Sequence, residues 1–156
     1  MIIKTIRASR KYIRNLDKEE NGKANFVAFA VYNKHTGAHQ IMIPFHCNTK
    51  THLHELGHCE LGHCIDNRQK YPLSEHVSQE IDAEIYAYEH VGKLVSIESL
   101  VNIAHSAIIE YGGWVSYVFN AIINHLKSRE YTIDNKQRSY LWDECKEYYQ
   151  MRKRAI

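Results

Sequence analysis

His54-Glu55-Leu56-Gly57-His58 constrains this chain more than any other stretch. It reads H-E-x-x-H. On an α-helix each residue advances the chain by about 100°, so His54 and His58 stand one turn apart on one face and can aim two imidazoles at one ion. Glu55, beside His54, can reach a water on that ion. The pattern is that of a zinc site with a general base next to it. It requires a helix through the motif. Asn48 or Thr49 supplies a cap for it, and the helix runs to about Ile65. Gly57 and Gly62 each weaken a free helix by ~1 kcal/mol, a loss that close packing against a neighbouring backbone offsets.

The elements around the motif follow from periodicity and turn chemistry. Residues 4–16 carry Ile6, Ile13 and Leu16 at helical spacing with Lys and Arg on the other faces, which predicts a helix; the alternative is a strand opening at Ile2-Ile3. Residues 26–32 alternate bulky and small residues and read as a strand. Asn33 to Gly37 is a turn, and residues 40–45 form a second strand, giving a β-hairpin. Pro44 cannot donate to a ladder, so the second strand ends there or lies at an edge.

Residues 66–72 read as a loop. Ser74 caps a helix that ends at Gly92, with Val77, Ile81, Ile85, Tyr88 and Val91 as its apolar stripe. Ser96 caps the next, stopped by Gly112-Gly113. Trp114 to Lys127 is another, and the last begins at Asp134 and reaches about Arg152. The expected fold class is α+β: a small antiparallel sheet on the motif helix, then a helical C-terminal half. At 156 residues the chain is expected to be a single domain, with a core over about 24–92 and a helical extension over 96–154.

Charge is uneven. Residues 1–25 hold seven Lys/Arg against three Asp/Glu, residues 74–110 one against seven, and residues 127–154 eight against five. The basic end Met151-Arg152-Lys153-Arg154 reads as a solvated helix terminus rather than a nucleic-acid contact. No apolar run approaches the ~20 residues that span a bilayer, and the first residues lack the apolar stretch of a signal peptide. The expectation is a cytoplasmic protein with no membrane partner. Its four cysteines, Cys47, Cys59, Cys64 and Cys145, are expected to be reduced.

Two histidines do not complete a catalytic zinc site, which takes three protein ligands and keeps one position open. His63 is nine residues from His54, about 180° around the helix, and cannot join the pair unless the helix breaks. The extended pattern H-E-x-x-H-x-x-G-x-x-H fails twice, with Leu61 at the glycine and Cys64 at the third histidine. His76 and His90, the kind of ligand seen in SprT-like proteases, have no supporting context. The acidic helix offers Glu80, Asp82 and Glu84 within about one turn, and by spacing any of them can present a carboxylate.

The hairpin, then His54-Glu55-Leu56-Gly57-His58, then a helix with Asp82-Ala83-Glu84-Ile85-Tyr86-Ala87, resembles the ImmA/IrrE family of zinc peptidases. That family carries H-E-L-G-H followed by an E-A-N-x-F-A-like helix whose first Glu ligates the metal. The resemblance covers about residues 24–92. It implies a zincin-like fold, Zn²⁺ as cofactor, and His54, His58 and Asp82 as its ligands. Asp82 is one methylene shorter than the family's Glu, with Glu84 and then Glu80 as rivals.

It implies Glu55 as the general base, and a substrate strand pairing with residues 40–45. It also implies a specific protein substrate, a repressor of a mobile element or phage encoded nearby. Tyr86 or Tyr88 could help hold the oxyanion, although core packing is the plainer role for both. The competing expectation is a catalytically silent metal-binding or interaction module that regulates a partner protein.

Overall fold

Alternation along one strand organises the first part of the molecule. In the computed structural model, which describes residues 1–7, 28–44, 47–63, 71–112 and 114–155, the strand Ala38–Ile43 buries His39, Ile41 and Ile43 and leaves the residues between them half-buried. This is the period-two pattern of a strand with one face in the core. Three strands, β1 (Ile2–Arg7), β2 (Phe29–Asn33) and β3 (Ala38–Ile43), form a sheet in the order β1-β3-β2.

β2 and β3 are the expected hairpin, antiparallel, with Phe29 opposite Met42 and Asn33 opposite Ala38. The turn closes through Gly37, whose φ of +64° suits glycine, and its N–H donates to the Asn33 carbonyl at 2.9 Å. The Asn33 side chain accepts from the N–H groups of His35 and Thr36. β3 stops before Pro44, which has no N–H for a ladder.

Three expectations about the sheet change. Residues 4–7 are strand, not helix: β1 runs parallel to β3, from Ile2 opposite Ala38 to Arg7 opposite Ile43. A few residues of helical spacing are a weak preference against a row of ladder hydrogen bonds on a neighbouring strand. Residues 8–16 of the expected helix and 26–27 of the expected strand lie outside the described residues. β3 is therefore central and paired on both sides, so it cannot serve as the edge that receives a substrate strand. The sheet is mixed rather than purely antiparallel.

α1 (Thr49–Glu60) packs on β2 and β3. Asn48 caps it, its side chain accepting from the Thr51 N–H at 2.8 Å, an arrangement that stabilises by about 1 kcal/mol. Leu56 and Cys59 turn towards the sheet and join Ala28, Ile41 and Ile43 in a core. Ile41 and Ile43 are fully buried, which contributes roughly 1.5–3 kcal/mol each. Leu56 lies about 200° around the helix from His54, so the histidine face of α1 is directed away from the sheet.

α1 ends at Glu60 rather than near Ile65. Gly62 adopts φ +74°, its N–H donates to the Cys59 carbonyl at 3.1 Å, and the His63 N–H donates to the His58 carbonyl at 2.9 Å. This pair of bonds around a left-handed glycine is a Schellman cap.

The chain divides into two compact units, Met1–Gln69 with Tyr86–Gly92, and Lys70–Ile85 with Lys93–Ile156. The helix α2 (Leu73–His90) is unbroken and contributes to both. It starts at Leu73, not after Ser74, whose carbonyl accepts instead from the Ser78 hydroxyl. It ends as expected, with Gly92 at φ +67°. Val77 and Ile81 are fully buried, whereas Val91, beyond the helix end, is exposed.

The second unit continues with α3 (Ile97–Tyr111), α4 (Val115–Ser128) and α5 (Asn135–Arg154), which pack on one another. Ser96 caps α3, and Asp134 with Gln137 forms a capping box on α5. Leu100, Ala104, Val118, Ile122, Leu126, Leu141 and Cys145 are the core of this unit. The fold class is α+β. Among the described residues no helix is long and apolar enough to cross a membrane.

Candidate metal centre

One turn of α1 brings the two motif imidazoles together. His54 Nε2 and His58 Nε2 are 3.1 Å apart, with ring centroids at 4.8 Å and an interplanar angle of 78°. Two nitrogen lone pairs at that separation repel unless a proton or a cation lies between them. In a tetrahedral site with Zn–N of ~2.0–2.1 Å, two nitrogen ligands stand about 3.3–3.4 Å apart. The observed spacing is close to that of a chelating pair.

Glu80 on α2 offers a third donor. One ligand atom from each of His54, His58 and Glu80 lies within 4.8 Å of the other two, and all three residues are half-buried. Two imidazoles and one carboxylate fit a divalent metal of zinc's character. Among the described residues the group numbers three donors, the number that hydrolytic zinc sites use, whereas structural sites take four Cys or His ligands.

Asp82, the residue the family resemblance puts in the ligand place, is held elsewhere. His125 Nε2 donates to Asp82 Oδ1 at 2.8 Å, and Arg129 Nε donates to the same oxygen at 2.9 Å. Two residues along a helix is a rotation of about 200°, so Asp82 and Glu80 leave α2 on opposite sides. Glu84, one turn beyond Glu80 and on its side, is buried. The remaining histidine candidates are also engaged. His76 lies tilted against the Tyr111 ring and 3.4 Å from Glu110, and His90 Nδ1 donates to the Tyr86 carbonyl.

Glu55 is buried, at 7% exposure. Its charge is felt at Cys47, whose thiol is pushed up by burial above all, drawn down by Arg7 and raised by Glu55. Tyr86 lies against the His90 ring at 4.0 Å, and burial with the nearby Glu60 charge raises its hydroxyl. Tyr88 takes the Lys50 ammonium over its ring at 5.0 Å. Both tyrosines thus have packing partners of their own. A cleft of about 400 Å³ is lined, among the described residues, by Leu73, Ser74, Tyr111, Trp114, Tyr117 and Ala121, none of them a His, Cys, Asp or Glu.

His63 meets His58 because the helix breaks. The two Nδ1 atoms are 3.1 Å apart and the ring centroids 5.3 Å. A continuous helix would carry His63 to the far side. The signal for the break is Gly62 itself, a glycine where a helix can end in a left-handed residue, rather than an interior glycine compensated by packing. No protein-family model, no curated protein and no solved structure matches this chain.

Proposed function

We propose that this chain is a zinc-dependent endopeptidase acting on a specific protein partner. The observation that carries the reading is the convergence of His54, His58 and Glu80, with Glu55 next to His54 on the same helix. The resemblance to the ImmA/IrrE family supports it. In this reading the fold is zincin-like, and Glu80 rather than Asp82 takes the carboxylate place. A repressor of a mobile element or phage, encoded nearby and met in the cytoplasm, is the substrate.

His54, His58 and Glu80 would hold the metal, which when bound supplies Lewis acidity, polarising a peptide carbonyl and acidifying water. The chain's own part is proton handling. Glu55 takes the proton of the attacking water and passes it to the leaving amine. Its burial keeps competing water away from that carboxylate. An extended substrate adds to β1 or β2, the outer strands of the sheet among the described residues, since β3 is paired on both sides.

The test is a comparison of wild type with Glu55→Gln against the neighbouring repressor. Metal content should be unchanged, and cleavage should fall by ~10²-fold or more, the scale of general acid–base catalysis. Equal cleavage by both proteins, or none by zinc-loaded wild type, would leave a metal-binding module that regulates its partner without hydrolysis.

A further inference from the structure

His58 is engaged at both ring nitrogens. Its Nε2 faces His54 Nε2 at 3.1 Å and its Nδ1 faces His63 Nδ1 at 3.1 Å. A neutral imidazole carries one N–H and one lone pair, so the partner of one nitrogen decides what the other can do. His63 is brought to that position by the backbone. Gly62 in its left-handed conformation folds the chain back, the His63 N–H donates to the His58 carbonyl at 2.9 Å, and the two rings meet edge to face. The main chain and side chain of His63 thus hold the same residue.

We infer that His63 is a positioning residue for the metal ligand His58: its Nδ1 accepts the His58 Nδ1–H and thereby commits the His58 Nε2 lone pair to the metal. The inference rests on the metal centre proposed above. A ring that gives its Nε2 lone pair to a cation carries its proton on Nδ1. A part-buried N–H with no acceptor loses about 1–3 kcal/mol of solvation, and His63 Nδ1 is the acceptor at hand. His63 is then the tautomer with its proton on Nε2. In most histidine-liganded sites a carboxylate, a carbonyl or a water fills this outer role. Here an uncharged imidazole fills it, delivered by a helix cap five residues after the ligand.

Zinc affinity, measured by competition with a chromophoric chelator, and the protonation of the ring nitrogens, read by long-range ¹⁵N–¹H NMR on the zinc-loaded wild type, test this together. Wild type should show His58 protonated on Nδ1 and His63 protonated on Nε2. His63→Ala should weaken zinc by about 10–100-fold, the usual effect of losing an outer partner. His63→Gln, whose amide oxygen can accept, should recover most of that loss. A proton on His63 Nδ1, wild-type affinity in His63→Ala, or equal losses in the Ala and Gln variants would each overturn the inference. The wild-type spectrum decides alone if a variant does not fold. Wild type that takes up no zinc overturns the metal centre and this inference with it, whereas zinc-binding wild type with unaffected His63 variants overturns this inference only.

Discussion

His125 Nε2 donates to Asp82 Oδ1 at 2.8 Å, and that bond separates two carboxylates that look equivalent in the sequence. Arg129 adds a second donor to the same oxygen. Asp82 therefore ties α2 to α4 and the residue after it, while Glu80, on the other side of α2, is gathered with His54 and His58.

The first expected outcome follows from this division. Glu80→Ala should lower zinc affinity by more than the ~10–100-fold that loss of an outer-shell partner causes. Asp82→Ala should leave zinc affinity near wild type and instead reduce unfolding free energy by about 1–2 kcal/mol, because a part-buried histidine and a half-exposed arginine lose a charged acceptor. Chelator competition and urea titration read the two effects. The reverse pattern, zinc lost with Asp82 and kept without Glu80, would return the ligand place to Asp82.

The hairpin, the motif helix and the helices after it were legible in the sequence because their signals are local: an Asn-to-Gly turn, an Asn cap, an Asp at the start of the last helix and apolar stripes. The pair His54 and His58 was legible for the same reason. The gathering of Glu80 rather than Asp82 with that pair was not legible, since what occupies Asp82 comes from a residue 43 positions away. At β1 the helix was preferred over the strand opening at Ile2-Ile3 because the pairing with β3 that decides between them is not local. His63 was missed because Gly62 was weighed as a weak point inside a longer helix, whereas it ends the helix.

Gly62→Ala tests the cap. An L-residue held in the left-handed region is disfavoured by roughly 1–2 kcal/mol, so thermal stability should fall. Gly62→Asn should cost less, because asparagine tolerates that conformation. Calorimetry of the three proteins gives the order. Equal stability of wild type and Gly62→Ala would mean that the cap geometry is not retained.

A pH dependence is expected from the second unit. The fully buried Cys145 thiol is pushed up to about 11, by burial first and by the Glu144 charge second. The fold favours the protonated thiol, so its contribution is complete below its ordinary value of 9.0 and is lost as pH rises through about 11. Unfolding free energy should decline across that window by up to roughly 2–3 kcal/mol from this group. Burial also raises the Tyr86 and Tyr111 hydroxyls, which act in the same direction. Cys145→Ala isolates the thiol: its profile should be flatter than wild type in the same pH range, and identical slopes would assign the decline to the tyrosines.

His54→Ala with His58→Ala should reduce bound zinc towards zero while far-UV circular dichroism stays close to wild type. The two imidazoles face away from the Leu56–Cys59 side that packs on the sheet. Collapse of the helix signal in the double variant would mean that the histidines support the fold itself.

Anomalous X-ray scattering at the zinc edge, from crystals of zinc-loaded protein, examines the metal centre most directly. A single peak should appear with nitrogen ligands from His54 and His58 and an oxygen ligand from Glu80, at ~2.0–2.2 Å from the metal. A peak bound by Asp82 or by other residues, or no peak at the His54–His58 pair under saturating zinc, would contradict it.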